Sequence, residues 1–152
     1  MLDINLCFTY AYSLGTVADF YQTITGDDDS TNYIDLDAAN LDIASGRPCY
    51  LIVRVGEAFV TMTSLDIKLE TDTDPGFAVN LLDVQTWNIL TENLTAGAVV
   101  VNQALPVQKY QRYVRIYWNV IGSSAGSGST ICAYLSTGPE SAFAQLDLVD
   151  VA

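Results

Sequence analysis

Hydrophobic and polar residues alternate with period two along much of this chain. The fullest instance is residues 111–120, Gln-Arg-Tyr-Val-Arg-Ile-Tyr-Trp-Asn-Val. A strand sends successive side chains to opposite faces. Val114, Ile116, Trp118 and Val120 therefore share one face, and Tyr113, Arg115, Tyr117 and Asn119 share the other. This predicts a central strand of an antiparallel sheet, a sheet type that can bury one face and wet the other.

The same alternation recurs on both sides of that segment. In residues 65–71, Leu65, Ile67 and Leu69 are expected to face inward, with Asp66, Lys68 and Glu70 outward. After Pro48, which costs no ladder hydrogen bond at a strand entry, Leu51, Val53 and Val55 alternate with Tyr50, Ile52 and Arg54. Residues 130–136 set Ile131, Ala133 and Leu135 against Cys132 and Tyr134. They are expected to return as a hairpin on residues 112–120 across the Gly/Ser/Ala loop 122–129.

Weaker signals fill the gaps. Residues 1–12 carry Leu2, Ile4, Leu6 and Phe8 on one alternating set and predict a strand. Residues 17–24 fit a strand or a short helix, and Phe20-Tyr21 with Thr23 favours the strand. A short strand is expected at 31–36. Residues 37–46 fit a single helical turn or a loop tucking Leu41 and Ile43 against the core. Short apolar segments stand at 59–62, 87–90 and 98–101. The tail from 139 to 152 carries Phe143, Leu146, Leu148 and Val149, and reads as a last strand or as an arm packing on a neighbour. No stretch sustains helical periodicity. Many short strands separated by turns predict one all-β domain over residues 1–152, a sandwich or barrel.

Composition narrows the function. A chain of 152 residues buries about 68–70% of its unfolded surface and can build a core without staples. Six Lys and Arg against eighteen Asp and Glu give a formal net charge of −12. That charge opposes nucleic-acid binding, which depends on neutralising phosphates. There is no histidine, which removes Ser-His-Asp and Cys-His catalysis and most general-base schemes. Carboxylate-only glycosidase chemistry and calcium binding survive this test, and no cofactor is expected. Cys7, Cys49 and Cys132 are far apart and flanked by apolar residues, so buried free thiols are expected, as in a reducing compartment. The first residues lack a positive region, so no signal peptide is expected. The apolar run 98–101 is too short to span a bilayer.

Candidate chemistry is sparse. Gly26-Asp27-Asp28-Asp29-Ser30 fits a calcium loop or a solvated turn, and lacks EF-hand spacing. Asp72-Thr73-Asp74-Pro75-Gly76 fits a turn closing its strand, with Asp72 and Asp74 spaced either to cap it or to ligate a cation. Glu57, Glu70, Glu92 and Glu140 are the acids a carboxylate hydrolase would need, but each falls at a turn or on an outward strand position. The outward Tyr113, Arg115 and Tyr117 are of the types enriched at interfaces. With Arg54 and Tyr50 they are the candidate interface residues.

The ordered set of pieces resembles a family of small capsid cement (decoration) proteins of tailed bacteriophages. Ser30-Thr31-Asn32-Tyr33-Ile34-Asp35-Leu36 is similar to an early strand of that family. Pro48-Cys49-Tyr50-Leu51-Ile52-Val53 resembles its first long core strand. Leu65 to Phe77, ending Leu-Glu-Thr-Asp-Thr-Asp-Pro-Gly-Phe, resembles a strand-and-turn of the family. Gln111-Arg112-Tyr113-Val114-Arg115-Ile116-Tyr117, followed by a Gly-rich turn and residues 131–135, resembles its hairpin. The resemblance implies a jelly-roll-like antiparallel β-sandwich. It further implies a homotrimer bound to the major capsid protein on the outside of an icosahedral head, with no catalysis. A carbohydrate-binding module of jelly-roll type is the alternative, using Tyr113, Tyr117 and Tyr50 with Asp72 and Asp74 on calcium.

Overall fold

A computed structural model of the chain describes residues 6–10, 20–37, 48–107, 110–124, 128–136 and 138. The expectations for residues 1–5, 11–19, 38–47 and 139–152, including the tail, lie outside the described residues.

The strands are β1 (Gln22–Thr23), β2 (Asp28–Asp29), β3 (Ile34–Asp35), β4 (Tyr50–Val55), β5 (Met62–Asp72), β6 (Leu82–Leu90), β7 (Val99–Ala104), β8 (Tyr113–Gly122) and β9 (Thr130–Ser136). One sheet has the order β1-β9-β4-β7. The other has the order β2-β8-β5-β6, with β3 also paired to β8. All pairings are antiparallel. The two sheets pack face to face as a single-domain β-sandwich.

The pairings nest: β1 with β9, β2 and β3 with β8, β4 with β7, and β5 with β6. A long antiparallel ribbon wound around a core gives this nesting, the jelly-roll arrangement expected from the resemblance. It also corrects the expected hairpin between residues 112–120 and 130–136. β8 and β9 lie in different sheets. β9 pairs instead with β4, placing Leu51 opposite Leu135 and Val53 opposite Ala133. Alternation identifies a strand but not its neighbour; in a wound ribbon, sequential strands change sheets.

The core lies where the period-two reading put it. Leu51, Val53 and Val55 of β4, Leu65, Ile67 and Leu69 of β5, Val114, Ile116 and Trp118 of β8, and Ile131, Ala133 and Leu135 of β9 are all buried together. Trp118 is fully buried and its indole N–H donates to Gln22 Oε1 at 3.2 Å. A buried Trp keeps its polar edge satisfied in this way.

Two edges depart from the expectations. β6 runs from Leu82, well before the apolar residues 87–90. Its partner register jumps from Leu69↔Gln85 to Glu70↔Asp83, so Val84 is an extra residue. A bulge inverts the alternation at that point, which hides the first half of the strand. The N-terminal segment forms no described strand: Cys7 makes an isolated bridge to Tyr134, with Phe8 N–H donating to Ala133 O at 2.9 Å. Phe8 still enters the core and Cys7 takes the opposite face.

Candidate interaction surface

The outer face of the five-stranded sheet is built by register. Asp72 stands opposite Tyr113, Glu70 opposite Arg115, Lys68 opposite Tyr117 and Asp66 opposite Asn119. Cross-strand neighbours of this kind interact directly. Three of the five sequence-derived interface candidates, Tyr113, Arg115 and Tyr117, therefore share this face. The other two do not join them. Tyr50 and Arg54 alternate with the core residues of β4 and lie on the outside of the four-stranded sheet, across the sandwich.

Arg115 is not a free surface cation. Its Nε donates to Glu70 Oε2 at 2.7 Å and its NH1 group lies 2.8 Å from Asp29 Oδ2. Its side chain is 14% exposed and that of Glu70 only 6%. Glu70, expected to face outward into solvent, does point outward but is covered. Burial pushes its carboxyl above the usual range, and the hydrogen bond and charge of Arg115 oppose that shift without cancelling it.

The cover is the loop between β5 and β6. Asp74-Pro75-Gly76-Phe77 closes as a turn, with Phe77 N–H donating to Asp74 O at 3.0 Å. Phe77 has φ of 52°, a conformation uncommon for a bulky residue and found where surroundings hold it. Its ring sits 4.4 Å from the Arg115 guanidinium carbon. Asp72 anchors the loop. Its carboxylate accepts from the backbone N–H groups of Asp74, Val79 and Asn80 at 3.0–3.2 Å. Burial alone would raise this carboxyl, but the backbone donors, that of Asp74 first, outweigh burial and hold it below the usual range.

Asp72 is thus a structural cap, with its oxygens committed to backbone donors. The other acid cluster is likewise used internally. Val120 N–H donates to Asp27 Oδ1 at 2.7 Å, Asp28 and Asp29 form β2, and Asp29 pairs with Arg115. Among the described residues no group of three or more acids and cysteines is placed to hold a metal.

Residues missed by sequence reasoning complete the surface. Tyr33 is 49% exposed and stands edge-on to Tyr113 with centroids 5.4 Å apart; it also meets Phe77 at 6.3 Å. Arg112 lies over Tyr113 at 5.1 Å and grips Asp35 through two hydrogen bonds of 3.0 and 2.8 Å. A cavity of about 220 Å³ opens between the loop and β2–β3, lined by Asp29, Tyr33, Pro75, Phe77 and Arg115 among others. The Asp-Pro-Gly-Phe turn was visible in the sequence, but not the fold-back that lays its Phe over a strand nearly forty residues away.

A second surface differs in character. Among the described residues β6 pairs only with β5, and β7 only with β4, so both are sheet edges. They lie on one side of the sandwich, where Trp87 Nε1 donates to Gln103 Oε1 at 2.7 Å. Leu82, Leu90 and Val99 are exposed there, and the two strands together carry one charged residue, Asp83.

With this geometry in place, a family model named Bbp16 matches residues 19–132. The chain belongs to the Bbp16 family. The matched span runs from just before β1 to Cys132, so it takes in β1 to β8 and the first three residues of β9. Bbp16 is a phage-associated family, which agrees in kind with the phage resemblance of the sequence. No curated protein matches the chain.

Proposed function

We propose that this Bbp16-family chain is a capsid cement protein. It binds the outside of an icosahedral phage head as a homotrimer and stabilises the lattice of the major capsid protein. Membership of a phage-associated family carries this reading. A rigid, nested β-sandwich with two chemically distinct surfaces supports it. A subunit that bridges neighbouring shell proteins binds only the assembled lattice, so it stabilises assembly by linkage. Clustering three copies multiplies weak contacts through effective concentration.

The two surfaces suit two partners. The β6–β7 edge exposes Leu82, Leu90 and Val99 among uncharged polar residues and carries one charged residue, Asp83, and charge depletion marks interface centres. In a chain of net charge −12, that edge is where like-charged copies repel least, and it is assigned to the trimer. The face carrying Tyr33, Tyr113 and Tyr117 is assigned to the shell protein, at an interface of about 800 Å² per partner.

Two measurements test this. Light scattering of the purified protein should give three times the chain mass, and sedimentation with purified heads should carry the protein into the pellet. A monomer that stays in the supernatant overturns the proposal.

A further inference from the structure

Two of the three cysteines meet on the outer face of the four-stranded sheet. Cys7 lies opposite Tyr134 in its bridge to β9. Alternation puts Cys132 on the same face as Tyr134, one diagonal step from Cys7, a spacing of about 7–8 Å between Cα atoms that a small backbone shift must close before the sulfurs can bond. The Cys7 thiol leans that way: its Sγ donates to Ala133 O at 3.6 Å, and the Cys132 thiol hydrogen-bonds to it. Both residues are buried. Cys49 is remote from them, on the core side of β4's sheet.

We propose that Cys7 and Cys132 form an intramolecular disulfide when the protein leaves a reducing compartment, and that this bond staples the N-terminal segment to the last strand. The oxidant is a low-molecular-weight disulfide of the glutathione class. The Cys7 thiolate attacks one sulfur of that disulfide, forming a mixed disulfide and releasing one small thiolate. Cys132 then gives up its proton and attacks the Cys7 sulfur, expelling the second small thiol. Two protein thiols are oxidised and one small disulfide is reduced to two thiols.

Cys7 is suited to the first attack. The hydrogen bond from Cys132 lowers its thiol from the ordinary value despite the opposing effect of burial, and the thiolate is the nucleophile. Burial pushes the Cys49 thiol up. Among the described residues the Cys7 segment is held by one bridge, by backbone hydrogen bonds of Phe8 to Ala133 and from Asn32, by the Thr9 hydroxyl, which donates to Phe20 O and accepts from Ala133 N–H, and by the Phe8 side chain in the core. Short edge pairing of this kind opens locally at less cost than the whole fold, which gives the oxidant access. The bond would close a loop containing nearly the whole sandwich, the case in which a cross-link constrains the unfolded chain most. The inference does not depend on the capsid reading.

The test uses the full chain, purified under reducing conditions and then held in oxidised glutathione. After denaturation, alkylation and peptide mapping, Cys49 alone should be alkylated and a Cys7–Cys132 cross-linked peptide recovered. The melting temperature should rise by about 10 °C and fall back on reduction. Cys132→Ser should keep glutathione on Cys7 and show no such rise. Three alkylated cysteines, a disulfide containing Cys49, or glutathione retained on wild-type Cys7 overturns the pairing. A cross-link without the rise in melting temperature overturns the staple.

Discussion

Arg112 and Arg115 are three residues apart, and each binds two carboxylates. Arg112 is 49% exposed and holds Asp35 and Asp37 at the rim. Arg115 is 14% exposed and holds Glu70 and Asp29 beneath Phe77. The difference lies in what happens when the cation is removed. At the rim, water re-solvates the acids. Under the loop, Glu70 is left with a charge it cannot hydrate.

Arg115→Ala therefore has the largest expected effect in this comparison. Removing one member of a buried pair costs about 3–5 kcal/mol, read as a shift in the urea midpoint at neutral pH. The cost should shrink as pH falls, because protonated Glu70 no longer needs a partner. A loss below about 1 kcal/mol, typical of exposed pairs, would show that water reaches Glu70 in solution.

Next comes the cover itself. Phe77→Ala removes the ring from Arg115, a desolvated cation–π contact of about 2 kcal/mol. It also admits water to the Glu70–Arg115 pair. Unfolding followed by chemical denaturation should show a loss of about that size. In the double variant with Arg115→Ala the two effects should be less than additive, since contacting residues share their interaction. Full additivity would mean that the ring and the guanidinium stabilise the fold independently.

The two arginines also show what the sequence made legible. Period two placed Arg115 on the outward face of β8, with Arg112 just before its first residue, and it placed Leu65, Ile67 and Leu69 in the core with Glu70 on the opposite face. It did not reveal that Glu70 is aligned with Arg115, because register depends on which strands pair, and nested pairing joins segments distant in sequence. The error over β8 and β9 has the same origin. Asp29 looked like part of a solvated turn because neighbouring acids hid the two residues that add to the sheet. Tyr50 and Arg54 fit an interface by residue type, but only the division into two sheets separates them from Tyr113 and Tyr117.

The acids themselves sharpen the contrast through pH. The Glu70 carboxyl is raised in the folded state, so the fold binds its proton more readily than the unfolded chain does. Its contribution to stability grows as pH falls through the raised value toward the ordinary 4.5, and is lost as pH rises. Asp72 is lowered, so its contribution is present above its ordinary value of 3.8 and disappears as pH falls further. Relief of the overall negative charge also changes stability over this range, so the comparison must be between variants. Glu70→Gln keeps an oxygen for Arg115 and should flatten the slope between neutral pH and about 4.5, leaving the acid limb below it intact. If the slope is unchanged, Glu70 is not the group responsible.

The smallest effect belongs to the rim. Arg112→Ala should cost little, as exposed pairs do, although its hydrogen bonds to Asp35, at 3.0 and 2.8 Å, are nearly as short as the 2.7 and 2.8 Å contacts of Arg115. Salt tells the two arginines apart more cleanly than the size of the loss. Raising ionic strength to 1 M shortens the screening length to about 3 Å, which should erase most of the Arg112 difference while leaving that of Arg115 largely in place. Distance alone does not rank these interactions. The ring of Phe77 and the loop tied down by Asp72 make one guanidinium part of the folded structure, while the other remains within reach of solvent and of any partner that meets Tyr113.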